Sequence, residues 1–549
     1  MRNEYFKLSH AEYYVENWPG STKNELIEYA VQDFEPHPSN EQRFRRRVSD
    51  IFDVAIASAA DMGDEDDDGL PIIGGILEAA EDMRQWATGT TFVFTSAQAN
   101  TILNEKFWAS LMGLVEDRQA QLHISRFTYN KASHGKRSVK PGSYDGTEDD
   151  DIWFDPRIAP FVSDEQVQVA SDLVWCGELN IIPTRVDPIT GFENYGRGSS
   201  IILPHTKMAM RSVPTMKDFP ARFCYTTGTV TARNYIEKAA GQKASLHHVY
   251  GALLVELDEH GQWWARQINA DADGTVYDLT DKYTPDGQIE RNVPVEIITH
   301  GDIHGNKVDT SVVGVMTGEG GVLDQLTPRH QVFHDSIDFQ PRNHHNIRDP
   351  HFLHQMKAEG KDNVMQEFGF TAEVLTAFMR DTSRHYIVTS NHDQAIEGWL
   401  RNTAGFYDPE NLWFWLAMNL YCTERRESGM KPRPFAEALS NALGAEAWAF
   451  SFIHEDDSLV IAGIENGLHG HLGPNGARGN PKNLRTVGKA NTGHTHSAGI
   501  VDGVYTAGVF GNLDMGYNKG LSSWSHSFIV TYQNGKRTIV TIKDGKAWR

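Results

Sequence analysis

Cysteine is scarce in this chain. Three occur, Cys176, Cys224 and Cys422, far apart and without a C-x-x-C pair. That argues against a disulfide framework or a zinc–thiolate site and suits a reducing compartment. Long apolar runs are lacking too. The longest, residues 411–422 (Asn-Leu-Trp-Phe-Trp-Leu-Ala-Met-Asn-Leu-Tyr-Cys), is too short to cross a bilayer and is expected to form a buried helix. The first residues, Met1-Arg2-Asn3-Glu4-Tyr5-Phe6-Lys7, lead into no apolar stretch, so neither a secretory signal nor a membrane partner is expected, and the location is expected to be cytoplasmic. Positive charge is in deficit: 51 Lys and Arg against 73 Asp and Glu leave a formal charge of -22. Such a surface repels polyanions over long range, which counts against a protein that coats nucleic acid through bulk charge. It leaves room for a nuclease whose site supplies its own cations. A fixed-period repeat is also absent, so solenoids are set aside.

What is present reads as an ordinary soluble α/β protein. With 549 residues, of which 40% are hydrophobic and 23% charged, two to four domains are expected. Residues 1–60 are expected to be a small helical unit. Residues 23–34 read as one helix; a second starts at Ser39 with Gln42 three residues on and carries Arg43, Arg45, Arg46 and Arg47. A helix-turn-helix that touches phosphates is one reading, and a solvated basic face against acidic neighbours carries more weight. The acidic stretch 61–69 lacks the EF-hand spacing and reads as a linker.

Residues 70–290 read as a mixed α/β accessory domain. Strand-like 90–95, a helical stripe through Leu103, Phe107, Leu111 and Leu114, and strand-like 122–129 make a β-α-β unit with a parallel pair. Residues 249–257 and 262–268 read as a hairpin whose Trp263-Trp264 belong to the core rather than to a base-stacking surface. In residues 291–549, helix-like 372–379, 409–422 and 434–443 alternate with strand-like 386–388, 459–464 and 504–509. A hairpin turning at Asn534-Gly535 ends the chain. Alternation of this kind indicates layered α/β.

Polar clusters recur at the ends of these strand-like runs. Asp302-Ile303-His304 follows the apolar residues 295–298; His334-Asp335 and Asp338 follow another run; then come Asn391-His392-Asp393, His469-Gly470-His471 and His494-Thr495-His496. Each alone has a bland reading, since histidine is plentiful and an Asn-His-Asp can be a plain Asx turn. Jointly, carboxylate, imidazole and carboxamide at successive strand ends are what a two-ion centre for hard-to-borderline metals requires.

In these motifs residues 295–510 resemble the calcineurin-like metallophosphoesterases, whose order is Asp-x-His, Gly-Asp, Gly-Asn-His-Asp/Glu, His and Gly-His-x-His. The chain departs from that pattern at His334 and Ser390, each of which stands where glycine is usual. The resemblance implies an αββα sandwich over residues 291–549. It implies that Asp302, His304 and His496 hold one ion, that Asn391, His469 and His494 hold the other, and that Asp335 bridges them, with Asp338 as the rival for Asp335 and His471 for His469. His392 would protonate the leaving oxygen or stabilise charge there. Ligands without thiolate favour Mn²⁺, with Mg²⁺ as the other candidate.

Two departures from the phosphatase pattern, Phe339-Gln340 after Asp338 and Asp393 closing the third motif, make the chain similar to the diesterase and nuclease branch. As a whole it also resembles the pre-early host-DNA-degrading proteins of T5-like phages, which would place it in a host cytoplasm. The resulting expectation is a DNase using two divalent ions, with DNA as partner, a host or phage protein as a further one, and self-assembly into a homo-oligomer. A phosphomonoesterase or protein phosphatase, and a non-catalytic takeover factor that binds DNA or a host protein, are the alternatives. Arg478, with Lys482 and Arg485 behind it, and the run His134-Gly135-Lys136-Arg137 are the candidate phosphate contacts.

Overall fold

The computed structural model of the chain describes residues 21–34, 89–129, 152–217 and 219–549, with single positions among 11–18, 45–52 and 85–86. The acidic stretch 61–69, the run His134 to Arg137, and Ser39, Arg43, Arg46 and Arg47 lie outside the described residues. Two compact units form, Met1–Asp82 and Met83–Arg549.

In the first unit the helix Lys23–Phe34 begins at a capping box: Thr22 N–H donates to Glu25 Oε2 (2.8 Å), and the Glu25 N–H returns to Thr22 Oγ1. Leu26, Ile27 and Ala30 form its buried stripe, against Tyr14, Val48 and Phe52. Arg45 is paired with Glu28 on this helix.

In the second unit four sheets, of eleven, six, five and three strands, share cores in a layered α/β arrangement. The five-stranded sheet contains the expected β-α-β unit: Thr91–Gln98 and Gln121–Phe127 pair in parallel around the helix Glu105–Asp117. Phe107, Leu111 and Leu114 of that helix are fully buried, one residue per turn on the same face. The hairpin of Gly251–Leu257 and Trp263–Asn269 extends this sheet, and both Trp263 and Trp264 are core. An eleven-stranded sheet joins strands between residues 85 and 226 to strands between 460 and 506, through the pairing of Met210–Val213 with Gly499–Val501. It therefore runs across the boundary expected near residue 290.

The six-stranded sheet positions the site. Its order is Phe450–Ile453, Arg384–Val388, His330–His334, Ile297–Thr299, Ser527–Thr531, Arg537–Thr541. The first four strands are parallel, and the last two form the expected C-terminal hairpin. Period-two alternation sends Ile298, Phe333 and Ile387 towards a helical layer that includes Val364–Ala377 and Pro434–Leu443. It sends Ile297, Val332 and Val388 the other way, towards Leu459 and, in the eleven-stranded sheet, Ile461. Helices, sheet and sheet are thus stacked in that order. The far face of the eleven-stranded sheet is covered by Ile181, Ile189 and their neighbouring loop residues.

Two expectations are corrected. Residues 459–464 are not one strand: Val460–Ile461 and Ile464–Glu465 form a tight antiparallel pair, turned by Ala462 (φ 51°) and Gly463 (φ 73°). The helix Leu412–Glu427 is only partly buried: Phe414 and Met418 enter the core, Trp415 and Cys422 pack against it half-buried, and Trp413 remains 74% exposed.

Glu367 of the helical layer gives a stability test. It is fully buried, and burial, reinforced by the negative charge of Asp338, pushes its carboxyl up to about 8. The unfolded chain releases this proton near the ordinary 4.5, whereas the fold retains it until about 8. Stability contributed by the neutral acid is full below the lower value and is lost as pH rises through the upper one. Glu367→Gln is therefore expected to flatten the decline of stability between these values. The expected gain at the upper end is on the order of a few kcal/mol, read by urea titration at a series of pH values.

Candidate metal centre

The parallel strands of the two facing sheets deliver their polar turns to one place. Ile297–Thr299, His330–His334 and Arg384–Val388 end just before Asp302, Asp335 and Asn391. From the other sheet, Ile464–Glu465 and Ala490–Thr492 run parallel to each other and end before His469 and the His494/His496 pair. C-terminal strand edges are where α/β sheets place ligands.

The first two turns are stitched together beyond the strands. Ile303, His304 and Gly305 N–H donate to the carbonyls of His334, Asp335 and Ser336, at 3.0, 2.7 and 3.0 Å. Four cluster residues adopt the left-handed conformation: His304 (φ 50°), Asp335 (43°), His494 (74°) and His496 (56°). Each such non-glycine residue costs on the order of 1 kcal/mol and persists where surrounding structure overdetermines it, as at a ligand site.

Asp302, His304, Asp335 and His496 are all buried and present ligand atoms within 4.8 Å of one another. His304 Nε2 lies 2.9 Å from His496 Nε2, and His496 Nε2 lies 3.2 Å from Asp302 Oδ2. On the other side of Asp335, His469 Nε2 approaches its Oδ2 at 3.3 Å and Asn391 Oδ1 at 3.2 Å. The His494 ring is 5.2 Å from that of His469, and its N–H donates to Asp302 Oδ2 (2.7 Å). Asp335 thus stands between the His304/His496 pair and His469.

Asp338, its rival from the sequence, stands behind this row. Its Oδ1 accepts from His304 Nδ1 (3.1 Å) and lies 3.2 Å from His392 Nδ1, and Lys307 Nζ is 3.5 Å from its Oδ2. A carboxylate on the far nitrogen of a ligating histidine fixes its tautomer and aims its other nitrogen. His471, rival to His469, has its ring 5.3 Å from that of His469, and both of its nitrogens are buried without a partner.

Charge balance explains what the cluster lacks. Asp302 Oδ1 and Asp335 Oδ1 are buried with no hydrogen-bond donor. Burial alone would raise the Asp335 carboxyl, yet the imidazoles of His469, His392 and His304 hold it well below the usual carboxylate range. Burial likewise would lower His469, but Asp335 and Asp302 raise it. The anionic oxygens therefore call for positive charge, which a divalent cation supplies at the point where they converge. Burial, and next the neighbouring His469, push His494 and His471 down to about 4, so their lone pairs stay free to ligate.

His392 differs from the others. It is 23% exposed and is held through Nδ1 to the Asp338 carbonyl (3.2 Å). Burial disfavours its charged form, but Asp335 and Asp338 outweigh this and push it up to about 10. Asp393 is structural, accepting from the Ile337 and Ser390 N–H groups at the turn.

Arg478 is exposed on a loop anchored by backbone pairing to Leu472 and by the Gly479 N–H to the His471 carbonyl (2.8 Å). Its loop is adjacent to the His469–His471 turn. Arg485 instead turns to Asp502 (3.4 Å), and Lys482 lies on the short helix Pro481–Leu484. Beside Asn391 a cavity of about 290 Å³ is lined by His344, Arg348, Gln394 and Trp399.

Sequence reasoning missed Lys307, which was legible as a cation five residues after Asp302. It also missed Trp524, whose ring packs 4.3 Å from that of His496 and which no spacing announces.

Gly493 shows how closely the loops approach. A Cβ there would meet Asp302 Oδ1 at 2.1 Å. Gly493→Ala is expected to displace that oxygen and weaken Mn²⁺ binding about 10–100-fold, the range seen when ligand orientation is lost. Calorimetric titration checks this, with an unchanged far-ultraviolet spectrum as the folding control.

Comparison with known proteins places the chain beside one phage protein. It is 38% identical over 492 residues to "Protein A1" of Escherichia phage T5, covering 87% of this chain and 86% of that protein. No family model matches, and no solved structure matches.

Proposed function

This chain belongs to the family of Protein A1 of Escherichia phage T5, and from that premise we propose that it is a metal-dependent DNA phosphodiesterase of the calcineurin-like type, degrading host DNA during infection. The observation that carries this reading is the buried convergence of Asp302, His304, Asp335 and His496 at the ends of parallel strands. The donor set fits divalent ions, since its carboxylate oxygens are otherwise unsatisfied and its imidazoles are available. Asp302, His304 and His496 would hold one ion; Asn391, His469 and His494 the other; Asp335 would be shared. Oxygen and nitrogen donors without thiolate favour Mn²⁺, then Mg²⁺. Bound there, the ions would neutralise phosphate charge and make a water nucleophilic near neutral pH.

The protein's own groups do the rest. His392 reaches the solvent-facing side with Nδ1 tethered, leaving Nε2 to donate a proton to the departing oxygen. Asp338 orients His304 and His392 together, coupling one ligand to the acid. Arg478 and the cavity beside Asn391 offer positions for the strand on either side of the scissile phosphate. In a chain of charge -22 such local cations, with the ions, must carry DNA binding. Among the described residues no helix is long and apolar enough to cross a membrane. The proposed setting is the host cytoplasm, with the chain acting as a homo-oligomer.

Purified protein incubated with linear and circular duplex DNA is expected to cleave with Mn²⁺ and to be inert in EDTA. Intact DNA alongside phosphate release from p-nitrophenyl phosphate would replace the diesterase reading with a monoesterase one.

A further inference from the structure

A second site lies at the other ends of the strands that lead to the histidines. Ala490–Thr492 and Val504–Thr506 are parallel, and their C-terminal ends face the metal-binding candidates. At their N-terminal ends, about 10 Å away by strand rise, a cavity of about 590 Å³ opens between Lys489, Gly503 and the Gly535–Arg537 segment.

Its charge is opposite to that of the chain. Lys207, Arg485, Lys489, Lys536 and Arg537 line it, against one carboxylate, Asp502. Asp502 is already engaged by Lys207 Nζ (2.6 Å) and Arg485 Nη1 (3.4 Å). Arg537 is only 5% exposed, yet its guanidinium finds neutral partners: the Ala490 and Gly503 carbonyls (2.7 and 2.8 Å), Asn491 Oδ1 (3.0 Å) and the Tyr505 ring. Among the described residues no carboxylate lies within 4 Å of Lys489, Lys536 or Arg537. A buried cation without a counter-charge is costly unless an anion completes it. Beside these, His247 and Asn269 are polar, and Met208, Val249, Ile500 and the 80% exposed Leu246 give the wall an apolar part.

We propose that this cavity binds a nucleoside phosphate, its phosphate on Lys489, Lys536 and Arg537 and its base against Leu246, Val249 and Ile500. The volume suits a ligand of that size, and concave sites joining an apolar wall to a few convergent charges are the usual form of small-molecule pockets. A bare anion would leave the apolar wall unused. The nucleotide is either free or one unit of a DNA strand, and the inference stands whether or not the metal centre is catalytic.

Titration of the full-length protein with dAMP in EDTA tests it, because the metal centre is then silent. Saturable binding is expected, at least about 10-fold tighter than that of inorganic phosphate. Lys489→Glu and Lys536→Glu are each expected to weaken it by at least about 10-fold with unchanged Tm, and Asp302→Ala to leave it intact. A short single-stranded oligodeoxynucleotide that displaces dAMP identifies the strand as the source; one that does not identifies the free nucleotide. Absence of saturable binding, phosphate binding as tightly as dAMP, or indifference to both lysine substitutions would overturn the proposal.

Discussion

Asp302→Ala is expected to abolish Mn²⁺-dependent DNA cleavage, with a loss of about 10³-fold or more in kcat/KM. The magnitude follows from the several kcal/mol that a bound ion contributes to transition-state charge stabilisation, about 1.4 kcal/mol being tenfold in rate. Asp302 has no substitute in the cluster. It offers Oδ1 without a donor, sits 3.2 Å from His496 through Oδ2, and holds the His494 turn by accepting its N–H. On the proposed reading its loss would remove a ligand and free the turn that presents two others. Asp302→Asn separates these effects: it keeps the shape and an acceptor but removes the charge, so Mn²⁺ affinity and rate are both expected to fall while Tm changes little. A fully active Asp302→Ala would show that the chemistry happens elsewhere.

His392→Ala is expected to have the second largest effect, about 10²–10⁴-fold in kcat, the range of a lost general acid. Mn²⁺ binding is expected to persist, because His392 lies on the carboxylate behind the ligands, 3.2 Å from Asp338 Oδ1. The pH profile gives the distinguishing readout. Asp335 and Asp338 raise this imidazole well above its ordinary value, and bound cations would offset part of that. The competent form is protonated, so the rate is expected to fall as pH rises through the folded-state pKa. That alkaline limb is expected to vanish in the variant. An unchanged limb would assign it to another group.

Much of the centre was legible because its residue types are unusual together at strand ends. The turn after 295–298, the Asn-His-Asp after the 384–388 strand and the His-x-His after 490–492 all meet, although up to 194 residues separate Asp302 from His496. The choice between Asp335 and Asp338 was not legible. Both follow one strand, and only the left-handed backbone at Asp335 (φ 43°) sends its carboxylate between the imidazoles while Asp338 passes behind them.

Local periodicity also could not foresee that strands from both sides of residue 290 share one sheet, because partner choice in a sheet is non-local. Nor could it orient the helix Leu412–Glu427. An apolar run suggests burial, yet Trp413 and Leu420 face solvent, 74% and 60% exposed. Hydrophobic composition says that a surface can be covered, not that it is.

The central claim is that one buried carboxylate, Asp335, joins two ion-binding half-sites. Counting Mn²⁺ per chain by equilibrium dialysis tests it without reference to activity. Two ions are expected for the native protein. Asp335→Asn is expected to weaken both together, whereas His496→Ala weakens one and leaves the other. A single ion in the native protein, or an Asp335→Asn protein that still binds two with native affinity, would contradict the bridging arrangement.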